Sequence, residues 1–403
     1  MLSDMLQIVL HSRPQTSVAK MNVKRVLIAL LTVIHMNNHI CTKMRHLKYL
    51  LCLIITSCGS INPNAISSIS FDTHTDILVF SDVFNVVEAI PLEAKRECLI
   101  SRADKARVFD SKYFILDRHQ GHSVFVFNGD GTYSHHVGNW GHGHGEVTFI
   151  NDFTIDKANR RIILLTHPST IFVYDLNGKF LMSKKLTDAT LWNIEYYKDG
   201  YLCSTNHRNW ENSAEKSLYY FFDKDFNLQH TMGDQLPETV SIPPMISNPI
   251  QVINNKLCYI DNFKSACVFF DSIDTKNNST QITLELGNDM DDYDIFYHSD
   301  MLKNLIKLNL LDEAYWEGKF IIGSLIKEKA LYAFELDLDS KKGEMWPISF
   351  VYPRLYDRNE DIYYTLISAP DFISSDYFKN HPLAQTLTER DNFVLLRLKR
   401  TKK

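Results

Sequence analysis

Seven of the 16 histidines fall between residues 119 and 167, and His142-Gly-His144 sets two imidazoles on a chain flexible enough to chelate. Imidazole is the commonest protein ligand for zinc, copper and nickel. The expectation is a transition-metal site (zinc among the candidates) drawn from His119, His122, His142, His144, His167 and His207, although no spacing matches an established zinc signature. A second set, Asp152, Asn193 and Asn248 with Arg107 and Glu195 nearby, offers hard oxygen donors of the kind that hold Ca²⁺ and polarise a carbonyl. A third, Trp140, Trp192, Trp210, Tyr196 and Arg208, combines flat apolar rings with polar neighbours, which suits sugar stacking or peptide recognition. Each set has an ordinary alternative: hydrated loop histidines, structural polar groups, and aromatic core.

The elements that must position these groups are short strands. Val124-Phe-Val-Phe-Asn-Gly-Asp-Gly131, Ile171-Phe-Val-Tyr-Asp-Leu-Asn-Gly178 and Leu218-Tyr-Tyr-Phe-Phe-Asp-Lys-Asp225 are apolar strands closed by Asn, Asp or Gly turns. Phe125, Phe172 and Tyr219 are 47 residues apart. Cys267-Val-Phe-Phe-Asp271, Leu331–Asp337 and Phe393–Leu398 continue the series, and a second strand precedes most copies, as in Tyr113–Asp117, Ile162–Leu165 and Leu257–Asp261.

Three or four antiparallel strands per repeat, six repeats and no regular helix between them imply an all-β, six-bladed β-propeller over 76–403. Val83–Leu92 is the expected closing strand. A short helix is expected near 298–312, and an irregular excursion over 353–390. In such a disc the blade-to-blade loops share a face with the loops joining second and third strands. That face collects all six named histidines and the tryptophans, while the oxygen donors sit at the channel mouth.

The chain before residue 76 reads as an address. Residues 1–57 hold seven Lys/Arg and one acid, and Met44–Cys58 runs basic, then apolar, then small and polar, which is a signal-peptide layout over 44–57. Its apolar run is too short to span a bilayer. Ile55-Thr-Ser-Cys58 before Gly59 resembles a bacterial lipobox, which implies a diacylglycerol-bearing Cys58, a linker over 58–75, and 1–43 as an upstream extension with translation starting at Met44. Residues 58–403 carry 36 basic against 47 acidic side chains, a net of −11, which argues against a nucleic-acid partner. Cys98, Cys203, Cys258 and Cys267 lie in apolar, strand-like contexts and read as buried thiols, with Cys258 falling opposite Phe269.

Gly138-Asn-Trp-Gly-His-Gly-His-Gly-Glu146 followed by Asn151–Asp156, Arg161–Leu165 and Ile171–Gly178 resembles an NHL-type repeat. With Ile90-Pro-Leu-Glu93 and Asp391-Asn-Phe-Val-Leu395, the stretch 76–400 resembles the six-bladed β-propeller lipoproteins common in Bacteroidetes. Members usually have Gly-Pro-Gly-Glu-Tyr in the loop and Asn-Pro at the close, where this chain has His144, Val147 and Phe393. The resemblance implies fold and anchor and brings no catalytic motif. The expected role is a lipid-anchored, periplasm-facing module that binds a glycan, peptide or protein. The alternative is a Ca²⁺- or Zn²⁺-dependent hydrolase or lyase at the channel mouth.

Overall fold

Each repeat folds as one antiparallel sheet in the computed structural model, which describes residues 66–206, 217–234, 248–253, 256–261, 265–270, 279–286 and 309–401. Blade 1 is Lys105–Phe109, Lys112–Asp117, Ser123–Asn128 and Tyr133–Val137, in that order from the axis outward. Blade 2 runs Ile150–Asp156, Arg161–Thr166, Thr170–Asp175 and Phe180–Lys185, and blade 3 runs Asn193–Tyr197, Gly200–Ser204, Ser217–Asp223 and Leu228–Asp234. Blade 4 is Ile250–Ile253, Lys256–Asp261, Ala266–Phe270 and Ser279–Leu284; blade 5 is Leu310–Trp316, Phe320–Lys327, Ala330–Asp337 and Lys342–Pro347. Blade 6 takes Asp357–Asn359, Ile362–Ile367 and Val394–Arg400 from the end of the chain and Phe84–Pro91 from its beginning. The six-bladed, all-β expectation is what the chain adopts.

The recurring Asp at the end of the third strand has a local cause. Asp175 Oδ1 accepts from the Asn177 and Lys179 amides at 2.9 Å, Asp223 Oδ1 from those of Asp225 and Asn227, and Asp337 Oδ1 from those of Asp339 and Ser340. Each acid thus caps the hairpin between the third and fourth strands by binding its own backbone. Between blades the spacing is filled by apolar side chains. Phe114, Leu116, Val124 and Val126 of blade 1 pack with Phe153, Ile162 and Leu164 of blade 2, all fully buried. Burying a side chain of this kind contributes about 1.5–3 kcal/mol.

The ring closes with the strand expected over Val83–Leu92: Phe84–Pro91 runs antiparallel to Val394–Arg400, with Val394 opposite Pro91 and Arg400 opposite Phe84. The segment assigned to a linker up to residue 75 is corrected by the structure. Ile66–Ile69 adds a fifth strand, parallel to Ser279–Leu284 of blade 4, and Phe71–Thr73 does the same for Lys342–Pro347 of blade 5. The chain therefore straps the outer edges of blades 4, 5 and 6 in turn and covers edges that would otherwise be open.

Of two further expectations, one falls largely outside the described residues and one is corrected. Residues 310–312 of the expected helix begin the inner strand of blade 5, where Leu310 pairs with Ile326; 298–308 lie outside the described residues. The excursion over 353–390 contains the two inner strands of blade 6, and only its later part is irregular, with short helices at Ala369–Ser374 and Pro382–Gln385. Cys98, Cys203, Cys258 and Cys267 are buried free thiols, and Cys258 faces Phe269 as the register count requires.

Candidate functional site

The inner strands bring the channel residues together. A β-bulge between Ile150 and Asp152 interrupts the first strand of blade 2, and bulges of this kind re-aim side chains. Lys105 Nζ lies 3.0 Å from Asp152 Oδ2 and 3.3 Å from Glu195 Oε2. The Arg107 guanidinium donates to Glu195 Oε2, and to Asn248 Oδ1 at 2.8 Å and the Tyr356 carbonyl at 2.8 Å. Thr154 donates to Glu195 Oε1 at 2.7 Å, while Asp152 accepts from the Ile194 amide at 2.9 Å and the Phe153 amide at 2.8 Å. Blades 1, 2 and 3 and the entry to blade 4 are joined by one buried network, and Arg107 also reaches the start of blade 6.

Its electrostatics are closed. Two cations face two anions, and all four carboxylate oxygens of Asp152 and Glu195 have a donor. Burial alone would raise the Glu195 carboxyl, but Arg107 and Lys105 overcome it and push it down to about 2. Burial alone would lower Arg107; the carboxylates of Glu195 and Asp357 reverse that and hold it above the ordinary arginine value. The oxygen set expected to hold Ca²⁺ is therefore assembled but engaged, with the Lys105 ammonium beside both carboxylates. Asn193, the remaining expected donor, stands apart and accepts from Ser204 Oγ at 3.3 Å.

The histidines do come from the two expected kinds of loop, but they do not converge. His119 sits beside the Arg102 guanidinium and 3.7 Å from Asp104, which also engages Arg118, so cations crowd it. His122 lies on the Trp140 ring, centroids 3.9 Å apart. His144 meets the edge of Phe180 on the outer strand of blade 2 at 4.9 Å, and His167 lies between Phe149 and Trp192, at 6.5 and 6.4 Å. His142 is exposed in the loop. Among the described residues no three His, Cys, Asp or Glu side chains are placed to hold a metal ion. The five described histidines are therefore not gathered into one site, and His207 lies outside the described residues.

Glu146 shapes the glycine loop. Glu146 Oε2 accepts from the Gly143 amide at 2.8 Å, and a Cβ on Gly141 would fall 2.0 Å from that same oxygen. Gly145, at φ +74°, abuts Phe180.

Of the aromatic candidates, Trp140 is 57% exposed and Phe149, nearby in sequence, 41%. Trp192 is buried at 9% exposure, and Tyr196 is half-buried, edge-on against Tyr201. Arg208, Trp210 and Cys58 lie outside the described residues.

Sequence reasoning missed Lys105, Thr154 and the groove between blades 5 and 6. The period-two spacing Lys105-Ala-Arg107 is the signal that would have placed Lys105 beside Arg107.

No curated protein matches the sequence. The chain is similar in fold to a Bacteroides fragilis protein named as exported, at 15% identity and a TM-score of 0.65, covering 83% of this chain and 100% of that one. A Bacteroides vulgatus member of the DUF4221 family is similar at 7% identity and a TM-score of 0.51, covering 80% and 99%. Residues 61–359 match the model of the DUF5128 family, described as a 6-bladed beta-propeller, and the chain belongs to that family.

Proposed function

We propose that this protein is an exported, lipid-anchored propeller of the cell envelope that acts as a non-enzymatic binding or scaffold module for a glycan, peptide or protein. The observation that carries the reading is the closed channel network, in which Lys105 and Arg107 neutralise the carboxylates a hydrolase would need for a cation. The signal layout over 44–57 and Cys58 support export and anchoring, as does the likeness to an exported Bacteroides protein. Among the described residues no helix is long and apolar enough to cross a membrane.

Detergent phase partition of the full-length protein made in a Bacteroides host tests the anchor: wild type should enter the detergent phase and Cys58→Ala the aqueous phase. Wild type in the aqueous phase overturns the anchor. A metal-dependent hydrolase or lyase activity lost in a folded Asp152→Asn variant overturns the non-enzymatic part.

A further inference from the structure

Between blades 5 and 6 the apolar packing gives way, toward the ends of the strands, to a groove of about 830 Å³. Deeper in the same interface Phe84, Tyr315, Ile322 and Tyr363 belong to one buried cluster. Trp346 lines the groove, and its ring stacks on His74, centroids 4.7 Å apart and planes within 10°. His74 is placed by the added edge strand Phe71–Thr73, so the strap along the outer edges builds one wall of the groove.

Three of the five carboxylates in the lining, Glu317, Glu335 and Asp361, are paired with cations. Arg400 donates to Glu317 Oε2 at 2.7 Å and engages the Glu335 carboxylate, and Lys399 pairs with Asp361 at 2.5 Å. Arg400 also lies over the Phe320 ring, 5.7 Å from its centroid.

We propose that this groove is a binding site for a neutral saccharide. Three features set the class. The volume falls within the roughly 300–1,000 Å³ of small-ligand sites. Aromatic surface beside it matches the apolar face of a sugar ring. Carboxylates held next to guanidinium and ammonium groups present acceptors and donors side by side, the pattern that vicinal hydroxyls, each both donor and acceptor, satisfy without bringing charge. The five carboxylates of the lining oppose an anionic ligand, and Arg358, Lys399 and Arg400 set among them oppose a cationic one. The proposal rests on the binding reading above and moves the ligand from the loop face to the side of the disc.

The test is tryptophan-fluorescence and calorimetric titration of the full-length protein with neutral di- to tetrasaccharides of glucose, galactose, mannose and N-acetylglucosamine. Trp346→Ala and Glu335→Gln should each weaken binding about tenfold while Trp140→Ala leaves it unchanged. Melting curves verify folding, and Glu335→Gln keeps a neutral acceptor for Arg400. Saccharide binding that survives both groove variants overturns the site and leaves the binding reading standing, as does binding lost only in Trp140→Ala. A groove that takes basic peptides and no saccharide overturns the class. No binding to any of these saccharides overturns the proposal and leaves the binding reading to a peptide or protein ligand.

Discussion

Replacing Glu195 by glutamine removes the anion that Arg107, Lys105 and Thr154 share. Two routes give the size of the effect. The Glu195 carboxyl sits at about 2 against 4.5 for a free glutamate, a difference worth about 3 kcal/mol in favour of the ionised folded form. Independently, removing one partner of a buried ion pair costs about 3–5 kcal/mol. Because the folded value lies below the unfolded one, this stabilisation is complete above pH 4.5 and is lost as the pH falls through about 2. Glu195→Gln should therefore lose about 3 kcal/mol at pH 7, and its deficit against wild type should shrink between pH 4.5 and 2. Denaturant titration reads this as a lower midpoint at unchanged slope. Arg107→Met added to Glu195→Gln should cost less than the sum of the two single changes. A deficit under about 1 kcal/mol, or one that is the same at pH 3 as at pH 7, would refute a coupled charge network.

Burial holds the Glu313 carboxyl up at about 7, with Arg354 opposing only in part. Its contribution to stability is complete below pH 4.5 and lost as the pH rises through 7, so Glu313→Gln should gain on wild type over that window in pH-dependent melts. Gly323→Ala would place a Cβ 2.0 Å from the Glu313 carbonyl oxygen and should cost about 3 kcal/mol or more by denaturant titration. Phe84→Ala, in the closing strand and fully buried against Tyr352 and Tyr363, should cost about 3–5 kcal/mol and lower the melting temperature. Cys203 and Cys258, whose thiols burial pushes well up, should resist a thiol reagent until the chain unfolds; their labelling in native protein would contradict the packing.

What the sequence discloses follows from where the information is local. The hairpins of Asp175, Asp223 and Asp337 are set by an acid binding amides two to four residues on, so the blade period stands in the sequence itself. Ile66-Ser-Ser-Ile69 carries little apolar pattern because an edge strand is held by its backbone, and it reads as a linker. The run Ile362–Ile367 is strand-like, but the helices at 369–374 and 382–385 separate it from its partner Val394–Arg400 and hide the repeat. At the channel, Asp152, Glu195, Arg107 and Asn248 are recognisable as polar groups at the mouth, whereas their chemistry turns on Lys105, whose ammonium lies beside both carboxylates. The groove draws on residues from His74 to Arg400, and no local pattern joins them.

Elemental analysis of the purified full-length protein, with melting curves in chelator, Ca²⁺ and Zn²⁺, tests the central claim that the channel is closed by its own charges. A cation held by the native state raises its stability, so the account predicts no stoichiometric metal and a melting temperature unmoved by any of the three additions. One bound metal per chain, with a melt that chelator lowers and Asp152→Asn makes insensitive, would contradict it.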